Sequence, residues 1–213
     1  MSGKIIAVAQ QKGGSGKTTI AAHLAVALAR EAGLSVAILD VDPQGSLGTW
    51  YEAREEVFGE DGTLLSFRTS SGWGARREAR SLARDHDMVI VDTPPKSDSD
   101  VKPAIDAADM VIVPIQPTPV DLWATEQTLR IAESERTPAL LVLNRVPPRA
   151  ALTGEMIDAI GDWGTPLAIA RIGNRTAFAA SMGQGRTVLE SEASGKAAAE
   201  TLALLREVMK AVE

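Results

Sequence analysis

The segment Lys4 to Gln10 (KIIAVAQ) is an apolar strand candidate that runs directly into Gln11-Lys12-Gly13-Gly14-Ser15-Gly16-Lys17-Thr18-Thr19 and then into a helical stretch, IAAHLAVALARE. Strand, glycine loop and helix in that order leave few folds open. Glycines let the backbone turn tightly and aim consecutive N–H groups inward, while a helix start adds partial positive charge. Such a loop offers a polyphosphate its donors without competing side chains. Seven of the eight residues from Lys12 to Thr19 are Gly, Lys or Thr. Lys17 supplies a point charge between the β- and γ-phosphates, the Thr18 hydroxyl is placed to ligate Mg²⁺, and Thr19 to reach the α-phosphate. The common phosphate-loop spacing would put glycine at position 11, where this chain has Gln11. The loop is therefore a variant.

Downstream of the loop the same logic repeats. Short β-branched runs alternate with stretches at helical spacing, the signature of βα units around a parallel sheet. Strands are expected at Ser35 to Asp40, Asp87 to Asp92, Asp109 to Ile115 and Pro138 to Asn144, with weaker candidates at Leu64 to Arg68 and Pro166 to Ala170. They read as continuous apolar runs, as strands covered by helices on both faces require. Helices are expected near 17–31, 74–85, 120–134, 152–162, 174–182 and 195–212. The fold class is α/β: a doubly wound, mostly parallel sheet with helices on both faces. At 213 residues and without a linker-like tract, it forms a single domain over 1–213. Zero cysteines exclude disulfides, iron–sulfur clusters and thiol catalysis, and point to a cytoplasmic home. A formal charge of −6 restricts any nucleic-acid contact to a local patch.

Two further places carry chemistry. Asp92 ends an apolar strand, where a carboxylate can hold Mg²⁺ directly or through water opposite the loop. Asp40 and Asp42 alternate, so on an extended backbone only one of them easily faces a given phosphate. Asp42 is the choice for orienting the attacking water. Asn144, at another strand end, can offer a donor and an acceptor to an adenine edge.

Lys12 to Thr19 resembles the deviant Walker A of the ParA/MinD family of ATPases, KGGxGK[ST]T, at every position. Asp40-Val41-Asp42-Pro43-Gln44-Gly45 resembles that family's DxDPQG segment, and Val89 to Pro95 its Walker B strand and switch. Pro117 to Ala124 and Arg175 to Glu190 look like the short ParA partition proteins, so the likeness covers nearly the whole chain. A chain that begins at its first strand is expected to lack the helix-turn-helix extension of the long ParA type. The resemblance implies a P-loop fold and Mg²⁺-dependent ATP hydrolysis. It gives Lys12, Lys17 and Asp42 catalytic roles and Gly13, Gly14, Ser15, Gly16, Thr18 and Thr19 nucleotide contacts, and it sets Asp40 near the metal's hydration shell. Lys12 would reach the nucleotide of the partner subunit in an ATP-bound homodimer. Pro114 to Pro119 and Pro147-Pro148 would wall the base.

Short ParA proteins also bind DNA nonspecifically, which implies nucleoid association with ATP, basic contacts such as Arg171, Arg175 and Arg186, and a ParB-like, ParG-like or cargo-adaptor partner that stimulates hydrolysis. The cargo would be a plasmid, a chromosome region or a protein assembly. Arg76, Arg80 and Arg84, with Arg77 beside them, form a second basic stripe. A MinD-like membrane regulator is the alternative, but Glu200, Glu207 and Glu213 offset Arg206 and Lys210 on the last helix, so no membrane is expected. A small-molecule ligase or amidase of the same superfamily is another, poorly served by the DPQG and PVDLWA segments. His23, His86 and the four tryptophans read as structural residues or interface anchors.

Overall fold

The computed structural model describes residues 2–95, 98–148 and 152–212. The chain runs through β1 (Lys4–Val8), α1 (Lys17–Glu31), β2 (Val36–Asp40), α2 (Ser46–Phe58), β3 (Leu65–Thr69), α3 (Ala75–Leu82), β4 (Met88–Asp92) and α4 (Asp98–Ala107). It continues through β5 (Met110–Ile115), α5 (Pro119–Glu135), β6 (Ala139–Leu143), α6 (Leu152–Gly161), α7 (Thr176–Met182), α8 (Val188–Ser191) and α9 (Lys196–Val212). Single 3₁₀ turns at Glu60–Gly62 and Gly72–Gly74 flank β3. All six strands are parallel, in the order β3-β2-β4-β1-β5-β6.

Both faces of this sheet are covered, so strand side chains alternate between two cores rather than between core and water. Ile6, Val8, Ile38, Ile90, Ile112 and Val142 pack with α1, α2 and α9 on one side. Ala7, Leu39, Val89, Val91, Val113 and Leu143 pack with α3, α4 and α5 on the other. Register then fixes the working end: Val8 and Asp40 each stand level with Asp92 across neighbouring strands. The glycine loop and both strand-end aspartates therefore emerge side by side at the carboxyl edge, where open α/β sheets bind ligands.

Three expectations need correction. Pro166 to Ala170 is not a strand; it meets β6 through a single bridge at Leu141 and Leu167, and Val146 bridges Gly173 further on. Three helices have no counterpart among the expected ones: the single turn α8, and the longer α2 and α4. In α2 the apolar residues Leu47, Trp50 and Tyr51 are followed by a charged stretch, and α4 carries Pro103 inside it. Both are held by tertiary packing. The Pro147-Pro148 wall lies beside residues 149–151, which fall outside the described set.

Candidate functional site: a phosphate loop facing strand-end carboxylates

Helix α1 opens without the usual aids. Its N-cap, Gly16, is left-handed (φ 94°), no side chain caps the first turn, and that turn contains no acidic residue. Its first N–H groups are therefore left for an outside anion. A Cβ on Gly16 would stand 2.2 Å from Asn144 Nδ2, so both the backbone angle and the close approach demand glycine. Gly14 is likewise left-handed, at φ 75°.

Three side-chain amides brace this loop from the adjoining strand ends. Asn144 Nδ2 donates to the Ser15 carbonyl at 2.7 Å, and Gln116 Nε2 donates to the Gly14 carbonyl at 2.8 Å. Gln10 Nε2 donates to Thr125 Oγ1 at 2.9 Å, tying the loop's first residues to α5. Asn144 Oδ1 also accepts from the Arg145 amide, and the residue is buried. Asn144 thus braces the glycine loop from a strand end. A cleft of about 320 Å³ lined by Thr19, Arg145, Asn174, Thr176 and Phe178 adjoins it.

Lys17 and Thr18 face the carboxylates. Thr18 Oγ1 donates to Asp92 Oδ2 at 2.6 Å. Asp92 is fully buried, and burial, the largest influence, pushes its carboxyl up to about 7 despite that bond. Lys17 is also buried, and desolvation lowers its amine while Asp92 and Asp42 pull it back. Desolvated charges of opposite sign around one loop form a site whose polar groups are incompletely paired. Asp92 Oδ1 and Ser15 Oγ indeed have no hydrogen-bond partner. A divalent ion between Thr18 and Asp92, and a phosphate over the loop, would satisfy groups that the fold leaves open.

Asp40 Oδ1 accepts from the Asp42 amide and its Oδ2 from the Gly48 amide, each at 3.0 Å. Both oxygens pin the DPQG loop to α2, so Asp40 anchors that loop. Burial raises its carboxyl. Asp42 is half-buried, accepts from the Gln44 amide, and its charge is felt at Lys17 and Asp92. It can therefore face a phosphate bound beside them.

Lys12 turns away from the loop that carries it. Its Nζ lies 2.5 Å from Asp121 Oδ2, on the first turn of α5. Asp121 is wholly buried, also takes the Thr118 hydroxyl, and leaves Oδ1 unpartnered. No expectation singled out Asp121 as a site residue. The signal was available: Thr118 three residues earlier is the N-cap of α5 and accepts from the Asp121 amide.

Of the arginines expected at DNA, Arg175 is engaged by Glu200 through Nε and Nη2 at 2.5 to 3.1 Å. Arg186 lies over the Phe58 ring, 5.0 Å from its centroid. Arg171 is exposed and has no such partner among the described residues. In the other stripe, Arg76 turns to Asp106 at 2.8 Å.

A family model described as the CobQ/CobB/MinD/ParA nucleotide binding domain matches residues 6–188. The chain is 32% identical to the maintenance of carboxysome distribution protein A of Halothiobacillus neapolitanus, covering 96% of this chain and 95% of that protein. Among solved structures it is similar to the ATP complex of a Cyanothece McdA variant, with a TM-score of 0.81 at 18% identity over 99% and 96% of the two chains. It is also similar to the septum site-determining protein MinD of Pyrococcus horikoshii with Mg-ADP, with a TM-score of 0.81 at 21% identity over 96% and 95%. With the loop, the strand-end aspartates and the six-stranded parallel sheet in place, the chain belongs to the CobQ/CobB/MinD/ParA family of nucleotide-binding domains.

Proposed function

We propose that the chain is a Mg²⁺-dependent ATP hydrolase that works as a positioning switch, dimerising with ATP and distributing a cargo. The observation that carries this reading is Lys12, a cation on the phosphate loop that pairs with Asp121 rather than with its own cradle. Within one chain the buried Lys17, beside Asp92 and Asp42, is the cation for the loop's own phosphates. Lys12 is held at the rim, 30% exposed, for a triphosphate presented by a second copy.

The residues divide the work of phosphoryl transfer. Backbone N–H groups of Gly13 to Thr19 and the Lys17 ammonium hold the phosphates, and Thr18 with Asp92 would hold Mg²⁺. Such an ion would supply charge neutralisation at the phosphates. Asp42 orients a water toward the γ-phosphate, on a loop that Asp40 keeps in place. Lys12 from the second copy complements charge that spreads over the γ-oxygens in the transition state. Hydrolysis then depends on dimerisation, and a ParB-like, ParG-like or cargo-adaptor protein is the class of partner that accelerates it. Nonspecific DNA is the track. The likeness to a carboxysome distribution protein over nearly the full length of both chains supports a protein assembly as cargo.

Lys12→Ala is the test. With ATP and Mg²⁺, sedimentation should show a dimer for the parent and a monomer for the variant, and turnover should fall about a hundredfold, on the scale of losing one charged transition-state contact. A variant that dimerises like the parent would remove the cross-subunit role.

A further inference from the structure

The two basic surfaces differ in how far they are engaged. Arg175 pairs with Glu200 and Arg186 lies over Phe58, whereas Arg77 and Arg80 are exposed and, among the described residues, have no ionic or hydrogen-bonded partner. Arg84 bonds only the Ser81 hydroxyl. Ahead of them Trp73 is 85% exposed. Residues 73, 77, 80 and 84 are spaced four, three and four apart, which places them on one stripe along the Gly72–Gly74 turn, α3 and the turn after it. The stripe extends for about 16 Å at 1.5 Å per residue. Of the acidic groups near it, Glu78 pairs with Arg68 at 2.9 Å and Asp106 with Arg76, while Asp85 lies exposed beside Arg84. On a chain of net charge −6, a row of unpaired guanidinium groups is a local exception.

We infer that the stripe Trp73, Arg77, Arg80 and Arg84 is the surface that grips the sugar–phosphate backbone of duplex DNA, an inference that rests on the DNA track proposed above. Guanidinium forks match phosphate oxygens two at a time, and a duplex presents phosphates at regular intervals along an edge. The indole supplies an N–H donor and a flat face to pack on sugar. Shape separates DNA from an acidic protein segment. Four clefts of about 320 to 530 Å³ among the described residues are lined from parts of the fold other than α3. A row of guanidinium charge along one helix suits a regular polyanion, whereas a peptide's apolar anchors need a recess. The stripe is firmly seated at its first turn. A Cβ on Gly72 would stand 2.6 Å from the Asp100 Cα, so the turn bearing Trp73 packs directly on α4, the first helix after Asp92.

The test is fluorescence anisotropy of a labelled 40-base-pair duplex of arbitrary sequence with the full chain, ATP and Mg²⁺, over a salt series. Arg77→Glu/Arg80→Glu should weaken binding about tenfold or more at 0.1 M salt and reduce the log–log salt slope by about 2. ATP-dependent dimerisation should be unchanged, and Arg171→Glu should leave binding within about twofold. Trp73→Ala should weaken binding with the salt slope intact. If the parent binds DNA and the double variant binds equally well, the stripe is not the surface, while the proposed function survives. A parent that dimerises with ATP yet retains no DNA removes the track itself. Loss, in the double variant, of binding to vesicles containing phosphatidylglycerol, with DNA retention unaltered, would assign the stripe to a membrane and overturn the inference.

Discussion

At Gly16 two constraints fall on one atom. The backbone sits at φ 94°, which a Cβ resists, and the space that a Cβ would need is filled by the Asn144 amide. Gly16→Ala should therefore weaken ATP binding about a hundredfold, combining left-handed strain with displacement of the brace on Ser15. Titration with a fluorescent ATP analogue reads it. Combining it with Asn144→Ala should restore only part of the loss, because the clash is relieved while the dihedral cost persists. Complete restoration would show that the angle is unimportant. The glycine was legible in the sequence, since the loop's composition announces it. Its partner's role was not: Asn144 lies 128 positions downstream of Gly16, and a strand-end Asn is compatible with a turn, a base reader or a brace. Asp40 teaches the same lesson. Strand alternation separates it from Asp42, but could not show that its oxygens accept from one backbone amide of its own loop and one of α2.

Between elements, the firmest tie is the one that joins α2 to the segment before α9. Arg54 is fully buried and meets Glu190 through two bonds, at 2.9 and 2.7 Å, while Nε donates to the Thr63 carbonyl. Trp50 and Phe58 flank the guanidinium, and Trp50 Nε1 donates to the Arg186 carbonyl. Glu190 in turn closes the capping box of α8 with Thr187, and its carboxyl is held low: burial opposes ionisation, but the bonds and charge of Arg54 outweigh it. Glu190→Gln should destabilise the fold by about 3–5 kcal/mol, the cost of leaving a buried charge unpaired. Arg54→Met/Glu190→Leu should recover most of that loss, and chemical denaturation of the three chains decides the matter. Such a pair is invisible at sequence level, because each residue alone reads as a solvated charge. The missed helix α2 is a related failure: its short apolar stripe is sufficient only because Arg54 anchors it from the polar side.

For the whole molecule, two buried groups set opposing responses to acid. His23 is buried in α1, its Nδ1 close to the Thr19 carbonyl and its Nε2 accepting from the Val188 amide. Burial lowers its pKa to about 4 from 6.5. The unfolded chain therefore binds a proton between these values that the folded chain refuses, and stability falls as pH drops through that window. Asp92 acts in reverse. Its folded pKa of about 7 stands above 3.8, so the folded ligand-free chain holds the extra proton, and stability falls as pH rises through the window. Between about pH 4 and 6.5 the two contributions cancel, leaving a flat profile from this pair. Asp92→Asn should expose a stability that rises with pH there, and His23→Gln one that declines. Melting curves of the ligand-free chains from pH 4.5 to 6.5 read both slopes. Parallel profiles in all three chains would show that neither group titrates as described.

What the sequence determined unaided is local: a glycine-rich turn between a strand and a helix, apolar runs that must lie between two layers of helices, and carboxylates at strand ends. These arise from backbone sterics and side-chain period, which act over a few residues. The tertiary structure decided the pairings. Lys12 finds Asp121 across 109 positions, Thr18 finds Asp92 across 74 and Arg54 finds Glu190 across 136. It also decided which arginines remain unspent for a polyanion. A charge's role depends on what stands within a few ångströms once solvent is removed, and parallel strands bring together residues that the chain keeps far apart.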